Sequence, residues 1–218
     1  MSKITKKNIQ VADFLRDQML HWNLLYDLLT REFIRFKFNK DIHEIGYKVE
    51  LVDKLCNCQL RHDIRIIANA ILILDLDSEF EESKATFIVN KIANIQIRNQ
   101  ETFLNTNNKR LGEEFASKYC HFHYPHKFPI IDEYVKIGLS NLLSKKPPII
   151  INHNYAQFMH EITELKKDLG FEVTNAQLNS YLWLYGNWVE YGSNPCSLEF
   201  WYLVEDENDS VQGLSPEI

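Results

Sequence analysis

Cys120, His121, His123 and His126 form a dense run of side chains able to bind a metal. Thiolate and imidazole ligands hold an ion only when they converge on one point. On a helix, residues 120 and 123 share a face, but His126 lies beyond Pro125. No second ligand pair stands nearby, so the histidines read as loop and core residues interleaved with Phe122 and Tyr124, and no metal is expected. The phrase YLWLYGNW, Tyr181 to Trp188, could stack single-stranded or flipped bases. With no basic cluster beside it, a core or partner-contact role is the expectation. Asp75, Asp77, Glu79, Glu81 and Glu82 make an acidic run without the glycine and register of a calcium loop, so they read as a solvated loop and helix start. Cys56 and Cys58 are one residue apart, which is not zinc spacing. Together with Cys120 and Cys196 they read as reduced thiols. No glycine-rich phosphate loop and no nucleophile–base motif stands out.

Composition narrows the scaffold that must position these groups. In 218 residues, 45% hydrophobic, there are only 7 glycines and 6 prolines. An all-β chain of this length needs more of both for its turns, so helices are favoured. The formal net charge of −6 lacks the basic excess that supplies most nonspecific affinity for nucleic acid. The start MSKITKKNIQ has no apolar run behind its lysines, and the stretch from Ile66 to Leu76 is too short and too polar to cross a bilayer. A cytoplasmic protein without membrane contact is expected.

Apolar spacing predicts a helix across residues 10 to 38, with Arg31, Arg35 and Lys37 late, where they suit the helix dipole. Further helices are expected from Val49 to Cys56 and from Asp63 to Leu74, the second one isoleucine-rich enough to resemble a strand. Ser78 with Glu81 reads as a capping box for a helix through Lys91 and Ile95. Thr106 to Asn108 read as a turn before a helix at roughly 109 to 122. Pro125 and Pro129 mark a loop, and Asp132 is placed to N-cap a helix ending near Leu143. The basic pair Lys145 and Lys146, followed by Pro147 and Pro148, suggests a solvated lobe boundary at 144–148. Beyond it, Phe158, Ile162, Leu165 and Leu169 share a helix face that Gly170 ends. Thr174 with Gln177 caps a helix through Val189, and Ser197 to Val204 suggests a short final one. The expected organisation is a single helical domain over 1–204 and an acidic flexible tail over 205–218.

The segment from Gly112 to Leu139 carries a resemblance. Its phrase Phe128-Pro129-Ile130-Ile131-Asp132, followed by Val135 and Lys136, resembles the heart of the helix-hairpin-helix DNA glycosylase superfamily, in its adenine-glycosylase branch. The resemblance implies an all-α core of that type. It implies that Gly112 is the second hairpin glycine; a DNA-binding subunit then needs a basic strip beside residues 109 to 114, from Lys109, Arg110 and Arg98. It also implies that Asp132 sits where the family's catalytic aspartate stabilises the cationic sugar left as a base departs. Arg110 stands where the family has its first hairpin glycine, and Glu114 where lyase members carry a lysine, so Schiff-base chemistry is not implied. No counterpart of the cysteine-ligated iron–sulfur cluster is present, and no cofactor is implied.

Three functions are compatible with this reading. The leading one is a diverged, non-catalytic relative acting through DNA or protein contacts as a subunit of a larger assembly, such as a bacterial DNA-maintenance or defence system. The second is a monofunctional glycosylase using Asp132, with Glu114 or Glu113 for acid–base work. The third is a protein-interaction module whose contact face is the aromatic helix 177 to 189.

Overall fold

The computed structural model describes residues 4–58, 60, 64–79, 84–98, 106–143 and 154–191, all as helices and the segments joining them. No described residue is in a strand, so the all-α multi-helix expectation holds. Helix α1, Lys6–Gln18, opens on a capping box. The Thr5 Oγ1 accepts the Asn8 N–H at 3.2 Å, and the Asn8 Oδ1 accepts the Thr5 N–H at 2.8 Å. The chain then breaks at Met19 (ψ 79°) and continues as α2, Leu20–Arg35. The single helix expected over 10 to 38 is therefore two. α1 packs against the last described helix and α2 against a central one, so no straight rod could serve both. Phe14 and Leu24, whose spacing would fit a single apolar stripe along such a helix, are about 60% exposed.

Helix α3, Ile42–Leu55, starts well before the expected Val49, because Asp41 caps it by accepting the N–H groups of His43 and Glu44. Helix α4 is Ile64–Ile73, and the isoleucine-rich run is helical as length suggests. The short α5, Leu76–Glu79, precedes α6, Ala85–Arg98. The capping box expected at Ser78 and Glu81 falls partly outside the described residues; Ser78 itself belongs to α5. Helix α7, Thr106–His123, begins where a turn was expected and runs unbroken through Gly112.

Helix α8 is Glu133–Leu142, α9 is Tyr155–Leu169 and α10 is Asn175–Tyr191. Gly170 ends α9 with φ of 70°, the left-handed turn that glycine adopts at little cost. The Thr174–Gln177 capping box is formed, each residue accepting the other's backbone N–H at 3.1 Å. The lobe boundary at 144–148, the helix expected at 197–204 and the acidic tail lie outside the described residues.

The core runs between these helices. α7 passes through its centre, burying Phe115, Ala116, Tyr119, Cys120 and Phe122 against α2, α3 and α6. α8 and α10 form the tightest pair. A Cβ built on Gly186 would lie 1.8 Å from the Tyr134 carbonyl oxygen, and one on Gly138 would lie 2.3 Å from that of Leu182. No described helix is long and apolar enough to cross a membrane.

Candidate functional site

Asp132 is held at the first turn of α8. Its Oδ1 accepts the Val135 N–H at 2.9 Å, which is the N-cap bond expected from the sequence. The residues before it are fixed as well. The Ile131 N–H donates to the Ser117 hydroxyl, while Asn179 of α10 pairs with both backbone groups of Ile130. The carboxylate therefore stands on backbone tied to both α7 and α10.

Beside it, Lys118 projects from α7, and both residues border a cavity of about 100 Å³. Its walls are mostly apolar, with Leu29, Val135 and Leu184 among them, and Cys56, Tyr26 and His121 add polar atoms. Burial pulls the Lys118 ammonium toward neutrality. The Cys58 thiol, Asp132, Cys56 and Glu114 outweigh that, and its pKa lies above the ordinary lysine value. Burial pushes the Asp132 carboxyl above its usual range, with Lys118 and the Val135 N–H opposing. Burial raises the Cys58 thiol to about 12 and also raises Cys56, so at neutral pH both are protonated. Glu114, the other expected catalytic carboxylate, lies 3.6 Å from the ammonium of Lys136, a residue only 2% exposed. The local arrangement alternates charges across α7 and α8: Glu114 and Lys118 from one, Asp132 and Lys136 from the other.

His121 closes the inner wall. Its Nδ1 lies 2.7 Å from the Phe128 carbonyl oxygen, which can only accept, so Nδ1 carries the proton. The Nε2 lone pair then accepts the Tyr26 hydroxyl at 3.0 Å. Burial holds this ring neutral, lowering its pKa to about 4. A base whose folded pKa lies below its unfolded value costs stability as pH falls between the two. Wild type should therefore lose up to about 3 kcal/mol from this group between about pH 6.5 and 4. Chemical denaturation at stepped pH checks this: His121→Gln should show a shallower acid limb, and an unchanged limb would refute the assignment. Some acid sensitivity should remain, because His123 is also shifted downward by burial.

The metal-capable run is not brought to one point. His121 is spent on Phe128 and Tyr26, His123 Nε2 lies 3.2 Å from Lys48, and His126 is exposed on the loop. The Cys120 thiol is fully buried. The aromatic run of α10 is used for packing: Tyr181 stacks on Tyr185, Tyr185 on Trp188, and Trp183 meets Tyr134 of α8 edge to face. In the acidic run, Asp77 accepts both the backbone and side-chain N–H groups of Asn39 at 2.8 Å. Glu81 and Glu82 lie outside the described residues.

Gly112 departs from what the resemblance implies. It is not at a hairpin; it lies within α7, where its backbone N–H points along the helix. Its missing side chain serves another purpose, since a Cβ there would come within 3.0 Å of the Ala93 carbonyl oxygen of α6. A glycine that permits a turn and one that permits close helix packing look alike in sequence. Lys109 and Arg110 belong to the first turns of the same helix. Lys118 is the site residue that sequence reading missed. Its signal was the i,i+4 spacing from Glu114 on one helix face.

The model of one protein family, HI_0787_N, described as an N-terminal domain, matches residues 8–127. That is more than half of the chain, and the chain belongs to this family. The match ends just before Phe128, so it holds Lys118 but not the phrase from Phe128 to Leu139. No curated protein and no solved structure matches the chain.

Proposed function

Taking membership of that family as the premise, we propose that the chain is a non-catalytic helical domain that acts through surface contacts, with DNA or with protein, as a subunit of a larger assembly. The observation that carries this reading is the setting of Asp132. Its carboxylate is engaged in capping α8, and the cavity beside it, at about 100 Å³, is smaller than the roughly 150 Å³ that admits a benzene ring. A flipped nucleobase is larger than benzene and brings polar edges that need partners. The wall's polar groups are largely engaged already: His121 with Phe128 and Tyr26, Asn179 with Ile130, and Ser180 with Arg16 and Ala176. The helical setting of Gly112 supports the same reading, because a helix interior does not offer the amides of a phosphate-gripping hairpin.

One observation favours the glycosylase alternative: Asp132 and a cationic Lys118 border the same cavity, a pairing able to meet developing charge. A base-excision assay separates the two. The full chain is incubated with a panel of duplexes carrying modified bases, and abasic sites are revealed by alkaline cleavage. No excision on any substrate is the expected result. Excision by wild type that Asp132→Asn abolishes would overturn the proposal.

A further inference from the structure

The turn from α2 to α3 carries the sequence RFKFNK, residues 35–40, in which cations alternate with aromatic rings. Phe38 is 55% exposed and Tyr47, from the second turn of α3, 41%. Arg31, Arg35, Lys37 and Lys40 are all exposed around them. The Arg35 guanidinium lies 4.9 Å from the Phe36 ring centre, and the Lys37 and Lys40 ammoniums approach that of Phe38 to 5.8 and 5.6 Å. Tyr47 meets Phe36 edge to face at 5.6 Å.

This surface is held firmly from beneath. The fully buried Lys48 donates to the carbonyls of Phe36 and Phe38 and to Asn39 Oδ1, at 2.9 to 3.0 Å. Asn39 is in turn fixed by Asp77 and by the Tyr119 hydroxyl. Buried Glu32 lies 3.5 Å from Arg31 and 3.7 Å from Arg35, and it accepts the Tyr47 hydroxyl at 3.4 Å. Rings and cations are thus presented on backbone that is already ordered, which lowers the entropy lost on binding.

We propose that this surface binds single-stranded nucleic acid, with bases stacking on Phe38 and Tyr47 and phosphates meeting Arg31, Arg35, Lys37 and Lys40. Every base has a face to stack, and single strands leave those faces open while a duplex hides them. An acidic peptide would match the cations but leave the ring faces unmatched. An anionic membrane would draw Asp41 and Glu44, the carboxylates at the start of α3, into its headgroup layer. Those two carboxylates also moderate the field here, so the affinity is modest and most visible at low salt. The inference stands on this surface alone, and the outcome of the excision assay at Asp132 leaves it untouched.

The test is fluorescence anisotropy of the full chain with a labelled oligothymidylate, the matching duplex and vesicles containing phosphatidylserine, at two salt concentrations. Binding to the single strand is expected to exceed binding to the duplex and to weaken with salt, by up to about 0.7 in logarithmic slope per phosphate contact. Phe38→Ala removes a half-exposed ring and leaves the core intact; it should weaken binding about 5-fold or more, the loss of one stacked base. The Lys37→Glu/Lys40→Glu pair should weaken it at least about 10-fold and flatten the salt slope. The Lys54→Glu/Lys167→Glu pair, with the same change in net charge at two lysines 69% and 66% exposed elsewhere, should leave it nearly unchanged. Circular dichroism confirms that each variant is folded. Lack of single-strand binding at low salt, equal effects of the two charge pairs, indifference to Phe38→Ala, or binding to vesicles alone would each overturn the proposal.

Discussion

Gly186→Ala is expected to destabilise the protein by about 3 kcal/mol or more, the upper end of what overpacking costs. In a solvent-facing helix the same change stabilises by about 1 kcal/mol, because alanine is the better helix former. Here the sign reverses, since the new methyl would lie 1.8 Å from the Tyr134 carbonyl oxygen and 2.6 Å from its carbon. Backbone cannot swing aside as a flexible side chain can, so α8 and α10 must separate. That separation reaches the candidate site, because Val135 of α8 and Trp183 and Leu184 of α10 all border its cavity. For a chain of this size the midpoint of thermal unfolding should fall by roughly 6 to 12 °C. Gly46→Ala is the internal control. It also lies within a helix, but its new Cβ meets only Ala68 Cβ and Ile64 Cγ2 at 3.9 Å, an ordinary contact. That variant should gain about 0.5 to 1 kcal/mol. Equal midpoints for the two variants would show that α8 and α10 do not meet backbone to backbone.

The contrast between these glycines marks what could be read in the sequence and what could not. Features that depend on neighbours three or four residues away were legible: the Asp132 cap, the Gly170 terminus and the Thr174–Gln177 box. The Asp41–Glu44 start of α3 carries the same signature, seven residues before the expected Val49. Features set by another element were not legible. The break at Met19 has no glycine or proline to announce it; it arises because α1 and α2 serve different neighbours. Lys118 sits in a helix among Phe115, Ala116 and Tyr119, where a lysine ordinarily marks the solvated edge, and the Asp132 that holds its charge comes from another helix. The His121–His126 run is contiguous in sequence, yet His121 and His123 turn to different partners and His126 is exposed. The cation–aromatic alternation at residues 35–40 was written in the chain, but only the exposure of Phe38 and Tyr47 distinguishes a surface from a core.

Lys48→Met is the second large effect expected, and its pH dependence identifies the cause. Methionine matches the shape of the lysine stem but donates nothing, so the Phe36 and Phe38 carbonyls and the Asn39 amide oxygen lose their shared donor. Asn39 Oδ1 keeps the Tyr119 hydroxyl, but each of the two part-buried carbonyls left without that donor costs up to about 1 to 3 kcal/mol. Opposing this, the variant no longer holds a charge away from water. Burial lowers the Lys48 pKa from 10.5 to about 8, with Asp77 and Glu44 pulling the other way. Breaking a buried polar network outweighs that relief, and a net loss of about 3 kcal/mol is expected at neutral pH. The sign of the pH effect follows from the direction of the shift. Between about pH 8 and 10.5 the unfolded chain holds the proton that the folded chain has released, so wild-type stability gains from this group as pH rises. The gap between wild type and Lys48→Met should widen by about 2 kcal/mol between neutrality and about pH 9.5, below the range in which exposed tyrosines ionise. Urea unfolding of both proteins at the two pH values measures it. A variant as stable as wild type would show that the ammonium does not hold the turn, and a gap that narrows with pH would show that the buried amine is not strained toward neutrality. Because the same ammonium orders the backbone beneath Phe36 and Phe38, limited proteolysis of Lys48→Met should cut first between α2 and α3, where the proposed nucleic-acid surface lies.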